Sequence, residues 1–181
     1  MPSASESALM TFLSERHPRY YGKVFELRDV VDGWLSYIPQ TFPHYTAHTI
    51  DHSEEIISQI SHLLFRDGNS TTPVLDQLSA TEAYILIVAA YLHDIGMVVS
   101  DRDKIRILGS AEWVRWVGNG GSGEKRLAAI NAFRSGPVPT DSVIQNFIAD
   151  LQLRHLIADF VRRNHHMIGE RQVACNSAKV R

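Results

Sequence analysis

One apolar run constrains this chain more than any other feature of its sequence. The run covers residues 83–92 and leads directly into His93 and Asp94. Ser79 and Glu82 precede it at the spacing of a capping box, in which each side chain satisfies a backbone N–H of the first helical turn. Because the run is apolar on nearly all sides, it indicates a central helix. It is too short to span a bilayer.

The rest of the chain reads as further helices joined by polar loops. Apolar residues recur at helical spacing in residues 5–15 and 23–38, and another helix begins near residues 49–51. The apolar phase shifts near Gln152, which predicts a kink or two helices in the last helical region. These patterns predict an all-α fold.

Composition restricts the partners that this chain can be expected to have. The 181 residues fit one domain, 1–181, with 44% hydrophobic and 21% charged residues. The net charge of -2 gives no bulk attraction to nucleic acid or to an anionic membrane. Cys175 has no second cysteine to pair with, and the N-terminus lacks the basic and apolar segments of a secretory signal. We therefore expect a cytoplasmic protein with neither nucleic acid nor membrane as its partner.

The position of Asp94 points to a bound cation. A carboxylate in the last turn of a helix faces the negative end of the helix dipole. Burying that carboxylate without a partner would cost several kcal/mol. A metal ion would offset both terms. The alternative is a buried, hydrogen-bonded His93 beside a surface Asp94, with no metal.

Other histidines could complete such a site. His52 lies one helical turn before Ile56 on the same face, as a third ligand or as an ordinary core histidine. His48, four residues earlier, could be a ligand, a supporting group or a residue outside the helix. His165 and His166 could bind metal or phosphate, or could end a solvated helix. Imidazole and carboxylate donors favour divalent zinc, iron, manganese, nickel or cobalt over calcium.

Four stretches together resemble the HD superfamily: residues 45–53, 81–84, 92–97 and 162–166. The similarity extends from about Leu35 to His166, and its most specific part is the His-Asp-Ile-Gly-Met sequence that begins at His93. In particular, it resembles the HD domains that accompany Hsp90-type ATPase modules. The resemblance implies an HD-type helical bundle whose buried central helix ends at the His-Asp pair.

The resemblance also implies a metal-dependent phosphohydrolase that acts on a nucleotide or other phosphoester through a metal-activated water. His52, His93 and Asp94 would hold a first metal. His165 and His166 would bind a second metal or the substrate, which makes Asp94 and His165 the predicted catalytic residues. Phosphate contacts, with ordinary surface charge as the alternative, are assigned to Arg102, Lys104, Arg106, Arg162 and Arg163, of which Arg102, Arg106 and Arg163 are the preferred candidates.

Two departures from the family pattern leave other functions open. The pattern closes with an Asp on a later helix, whereas Asp150 and Asp159 both precede His165. The residues after Gly169 carry no apolar stripe, and residues 167–181 are predicted to be a poorly ordered tail. The alternatives are a catalytically impaired metal- or nucleotide-binding regulatory module, a fragment of a larger protein, or a scaffold with structural histidines. Expected partners are a phosphoester small molecule, a second copy in a homodimer, or an Hsp90-type ATPase.

Overall fold

The computed structural model describes residues 7–42, 48–65, 72–74, 78–118, 120, 122–136 and 142–177, with backbone alone for 40, 41 and 172–177. These residues form an all-α bundle, as predicted. A 3₁₀ turn, Ile95–Met97, follows the fifth helix. The helices are α1 (Ala8–Arg16), α2 (Pro18–Leu35), α3 (Ile38–Thr41), α4 (Ile50–Leu64), α5 (Ala80–Leu92), α6 (Asp101–Leu108), α7 (Ala111–Gly118), α8 (Ser122–Ser135) and α9 (Ser142–Ser177).

Helix α5 is central to the bundle, because it packs against α1, α2 and α4. The predicted capping box starts it: the Ser79 N–H donates to Glu82 Oε2 at 2.8 Å, and the Glu82 N–H donates to Ser79 Oγ at 3.2 Å. Its inner face buries Ala83 and Ile87 completely. Its outer face reaches solvent, where Ile85 is 57% exposed. The apolar run is therefore covered on one side only.

A polar network joins α2, α4 and α5 inside the bundle. Arg28 Nε donates to Glu54 Oε1 at 2.7 Å, and this ion pair lies close enough to the buried Tyr91 hydroxyl for both charges to affect its pKa. Burial raises the pKa of Tyr91 to about 12. Glu54 lies two residues after His52, and Tyr91 lies two residues before His93. The network therefore fixes the position of the α4 segment that carries His52 relative to the α5 segment that leads to His93.

The turn Ile95–Met97 crosses the second half of α9 at very short range. A Cβ atom placed on Gly96 would lie 1.8 Å from the backbone oxygen of His165 and 2.8 Å from the backbone nitrogen of Gly169. Only glycine can therefore occupy position 96 at this separation. The crossing brings the segment that follows Asp94 against the segment that carries His165.

Helix α9 differs from two expectations. It is one continuous helix from Ser142 to Ser177, so of the kink or two helices expected near Gln152 the two separate helices are absent, and residues 167–177, predicted to be a poorly ordered tail, are helical. Residues 178–181 lie outside the described part of the chain. Helix α9 changes partner along its length: its first half packs against α8, and its second half packs against the Ile95–Met97 turn. Helical residues after 166 thus have a surface to pack on.

Among the described residues, no single helix is both long and apolar enough to cross a membrane. One bent pair, Ala80–Met97 with Asp101–Leu108, reaches the required length and composition when taken together, with an angle of 71° between its members. The first member contains α5, whose inner face forms part of the core.

Candidate metal centre

Asp94 lies directly after α5, at the start of the Ile95–Met97 turn, and is only 5% exposed. Its Oδ2 accepts hydrogen bonds from His48 Nδ1 at 2.7 Å and from His93 Nε2 at 2.8 Å. Burial opposes the charge of the carboxyl, but the bonds from His93 and His48 outweigh burial and lower the pKa of Asp94 to about 2. Asp94 is thus a buried carboxylate that stays ionised at neutral pH.

His93 is oriented by the helix that it ends. Its Nδ1–H donates to the backbone oxygen of Ala90 at 2.8 Å, which leaves Nε2 facing Asp94. Burial opposes protonation of this imidazole, whereas the hydrogen bond with Asp94 favours it, and the net pKa of His93 is raised. A metal ion at Nε2 would take the place of that proton. The bond to a carbonyl oxygen is the support that metal-binding histidines usually have.

His52 completes a group of three potential ligands. It lies in the first turn of α4, and its ring centroid is 5.3 Å from that of His93. Ligand atoms of His52, His93 and Asp94 all lie within 4.8 Å of one another. Atoms bound to one ion at roughly 2.1 Å lie at most about 4.2 Å apart, so small side-chain shifts would close the site. Two imidazoles and one carboxylate suit a divalent transition ion.

A cavity of about 620 Å³ opens beside this group, between the end of α5 and the second half of α9. His93 lines it from one side, and His165, His166 and Glu170 line it from the other. His165 Nδ1–H donates to the backbone oxygen of Arg162 at 2.7 Å, which leaves Nε2 available. Within the described residues, His165 and His166 share the cavity with His93 but lie outside the three-ligand cluster.

The sequence profile of the HD-CE family matches residues 42–178, which is more than half of the chain. The match includes His52, His93 and Asp94 of the cluster. It also includes His165 and His166, which line the opposite side of the cavity. The chain belongs to the HD-CE family. HD-CE is an HD-type family, so the predicted relationship to HD domains is confirmed. Searches of curated proteins and of solved structures find no match.

The predicted phosphate contacts are not part of the described wall of this HD-CE cavity. Arg106 is 66% exposed and pairs with Asp103 at 3.5 Å, and Arg163 is 53% exposed and pairs with Asp159 at 3.2 Å. Arg102 is an exposed residue of α6. None of the three lines the cavity that His93 and His165 share. Their assignment to phosphate stays a prediction, and the geometry favours ordinary surface roles.

Two residues of the HD-CE site were left open or missed by the sequence patterns. His48 precedes α4, so it lies outside that helix, and it supports Asp94 by hydrogen bonding. Glu170 lines the cavity one helical turn after His166. The four-residue spacing from His166 could have indicated that Glu170 lies on the same helix face as His166. That inference requires α9 to continue past Gly169, where a tail was predicted.

We expect replacement of His48 by alanine to weaken metal binding without abolishing it. His48 holds the carboxylate of Asp94 and lies outside the cluster, and loss of such a support lowers metal affinity by roughly 10–100-fold. Competition titration with a chromophoric chelator measures the change. His48→Gln, which keeps an N–H donor, should recover part of the affinity, and His62→Ala, at an exposed site on α4, should leave it unchanged. Equal affinities for wild type and His48→Ala would contradict the role.

Proposed function

We propose that this HD-CE domain is a metal-dependent phosphohydrolase that acts on a nucleotide or other phosphoester through a metal-activated water. The observation that supports it most is the position of the potential ligands. His93 belongs both to the cluster with His52 and Asp94 and to the wall of a cavity large enough for a small phosphoester. A metal held there would lie beside the cavity, which it would share with a substrate through His93.

His52, His93 and Asp94 would hold the metal, which would supply an activated water and neutralise phosphoryl oxygens. The protein prepares this set in advance. His48 orients the carboxylate of Asp94, and the Ala90 carbonyl orients the ring of His93. Because the pKa of Asp94 is about 2, the carboxylate carries its negative charge across the physiological pH range.

His165 and His166, on the cavity wall opposite His93, would bind the substrate or a second ion. His165 has its Nδ1–H engaged with Arg162, so its Nε2 is the atom that can serve a ligand in the cavity. As an imidazolium it would donate a hydrogen bond to a phosphoryl oxygen or a proton to the leaving oxygen. As a neutral imidazole it would bind a second ion together with His166. The second role uses both histidines, and His165 and His166 both line the cavity.

A regulatory module without turnover is the second candidate, and the acidic residues favour it. In the described part of α9, Asp150 pairs with Arg134 at 2.6 Å, and Asp159 contacts Arg126 at 3.3 Å. Among the described residues, neither Asp belongs to the group of potential ligands formed by His52, His93 and Asp94, so neither is placed as the closing ligand of the HD pattern. A site with three protein ligands would bind metal more weakly and could retain nucleotide binding alone.

Hydrolysis of bis(p-nitrophenyl) phosphate separates the two candidates. We expect wild-type protein loaded with Mn²⁺ to release p-nitrophenol steadily, and we expect a chelator to stop the release. His93→Ala should lose at least about 100-fold in rate, because losing a metal ligand exceeds the loss of a support. His62→Ala should keep the wild-type rate. Metal binding without any release would support the regulatory module, and full activity of His93→Ala would rule out catalysis at this site.

The proposal also covers the proteins with which this domain would assemble. An Hsp90-type ATPase module is the partner that the sequence resemblance implies, and a second copy of the chain is the other. The match to the HD-CE family supports the HD assignment on which the first of these partners depends. Both stay predictions.

A further inference from the structure

A second cavity, of about 650 Å³, opens where the end of α2 meets the start of α6. It is lined by Trp34 at the end of α2, by Tyr37 in the turn before α3, by Lys104 on α6 and by Arg154 on α9. It shares no lining residue with the metal cavity. Arg154 and His165 are eleven residues apart on α9, which places them roughly 16 Å apart along the helix axis. The two cavities are therefore separate sites.

The aromatic side chains of this cavity are unusually open. Trp34 is 37% exposed and Tyr37 is 58% exposed. Within the described part of the chain, neither ring packs against another aromatic ring, unlike Trp113 and Trp116, which both pack on Phe160. Exposed aromatic faces on a concave wall are suited to stacking against a planar group.

The charged side chains of the cavity leave one positive charge in excess. Lys104 Nζ lies 2.8 Å from Asp101 Oδ1, so these two groups largely neutralise each other. Arg154 is exposed and forms neither a hydrogen bond nor a salt bridge with the described residues. Its guanidinium is thus available to a ligand, and it can bind two oxygens of a phosphate at once.

We propose that this second cavity binds a nucleotide, with the base against Trp34 and Tyr37 and the phosphate at Arg154. The lining offers aromatic rings that can stack on a planar group and a guanidinium that can bind an anion. A nucleotide carries both a planar base and an anionic phosphate. The cavity volume lies within the range of small-molecule sites. Because the site uses none of the residues of the metal centre, this inference does not rest on the proposed hydrolysis.

Calorimetric titration with AMP and with GMP tests the proposal. The titrated protein is the His93→Ala, Asp94→Ala variant, in which the metal centre is removed and nucleotide binding at the second cavity should persist. Arg154→Gln in this background should raise the Kd at least about tenfold, since a charge-assisted hydrogen bond contributes more than one neutral bond. Trp34→Leu should also raise it. Arg19→Gln, an exposed arginine near the other end of α2, should leave the Kd unchanged.

Two ligand fragments sharpen the test. Adenosine lacks the phosphate and ribose 5-phosphate lacks the base, so each should bind at least about tenfold more weakly than AMP. Absence of binding by both AMP and GMP would overturn the proposal, as would unchanged affinity in both Arg154→Gln and Trp34→Leu. Binding to wild type but not to the metal-centre variant would place the nucleotide at the metal centre, which overturns this inference and leaves the proposed function intact. Because Arg154 is exposed, Arg154→Gln is expected to fold normally, and circular dichroism checks both variants.

Discussion

Replacement of Gly96 by alanine is expected to lower the free energy of unfolding by about 3 kcal/mol or more, at the upper end of overpacking effects. The added Cβ would lie 1.8 Å from the backbone oxygen of His165 and 2.6 Å from its backbone carbon. These are backbone atoms, so no side-chain rotation can relieve the clash, and the Ile95–Met97 turn must move away from α9. Urea unfolding followed by circular dichroism measures the loss.

Two other glycines provide matched controls for this prediction. A Cβ on Gly22, inside α2, meets nothing within 4 Å, so Gly22→Ala should raise stability by about 0.5–1 kcal/mol. A Cβ on Gly169 meets the Ile95 side chain at 3.2 Å and the Gly96 nitrogen at 3.3 Å, so Gly169→Ala should cost less than Gly96→Ala. A loss below about 1 kcal/mol in Gly96→Ala would contradict the close crossing, because such a loss is typical of ordinary substitutions.

The crossing also matters for the site. Gly96 is two residues from Asp94, and the backbone that it touches belongs to His165. Any displacement of the turn would therefore move the cluster away from the facing histidines. We expect Gly96→Ala to lose metal affinity along with stability.

The parts of the fold that the sequence predicted are those controlled by neighbouring residues. The capping box at Ser79 and Glu82 depends on a spacing of three residues, and it is present as predicted. The apolar run after it predicts α5, since its residues need a core to pack on. The all-α class follows from the same local periodicity.

The remaining features depend on contacts between distant segments. The continuity of α9 past Gln152 depends on a change of packing partner, from α8 to the Ile95–Met97 turn, that no local pattern records. The partnership of His48 with Asp94 joins residues 46 positions apart. The position of Glu170 on the cavity wall depends on the Gly96 crossing, which gives the end of α9 a surface.

The candidate site was predictable in part. Helical phase placed His52 on the apolar face of α4, and the end of the apolar run placed His93 and Asp94 together, so the cluster agrees with the residues named from sequence. The cation argument started from a buried carboxylate without a partner. In the structure that carboxylate already has two imidazole partners, so the case for a metal rests on the donor set and its convergence.

The double variant His93→Ala, Asp94→Ala is expected to lose transition-metal binding altogether. It removes two of the three potential ligands and leaves His52, and a single imidazole does not retain an ion against water and buffer. Metal bound to the native state also stabilises it, so a chelator should lower the melting temperature of wild type and should leave that of the double variant unchanged. His62→Ala, which alters an exposed histidine of α4, should respond to the chelator as wild type does.

Elemental mass spectrometry of purified wild type and of the same double variant tests the central claim most directly. The account predicts about one or more equivalents of a transition metal in wild type, after purification or after reconstitution with Mn²⁺, Fe²⁺ or Zn²⁺, and none in the double variant. Absence of metal from reconstituted wild type, or equal metal in both proteins, would contradict a metal centre at His52, His93 and Asp94.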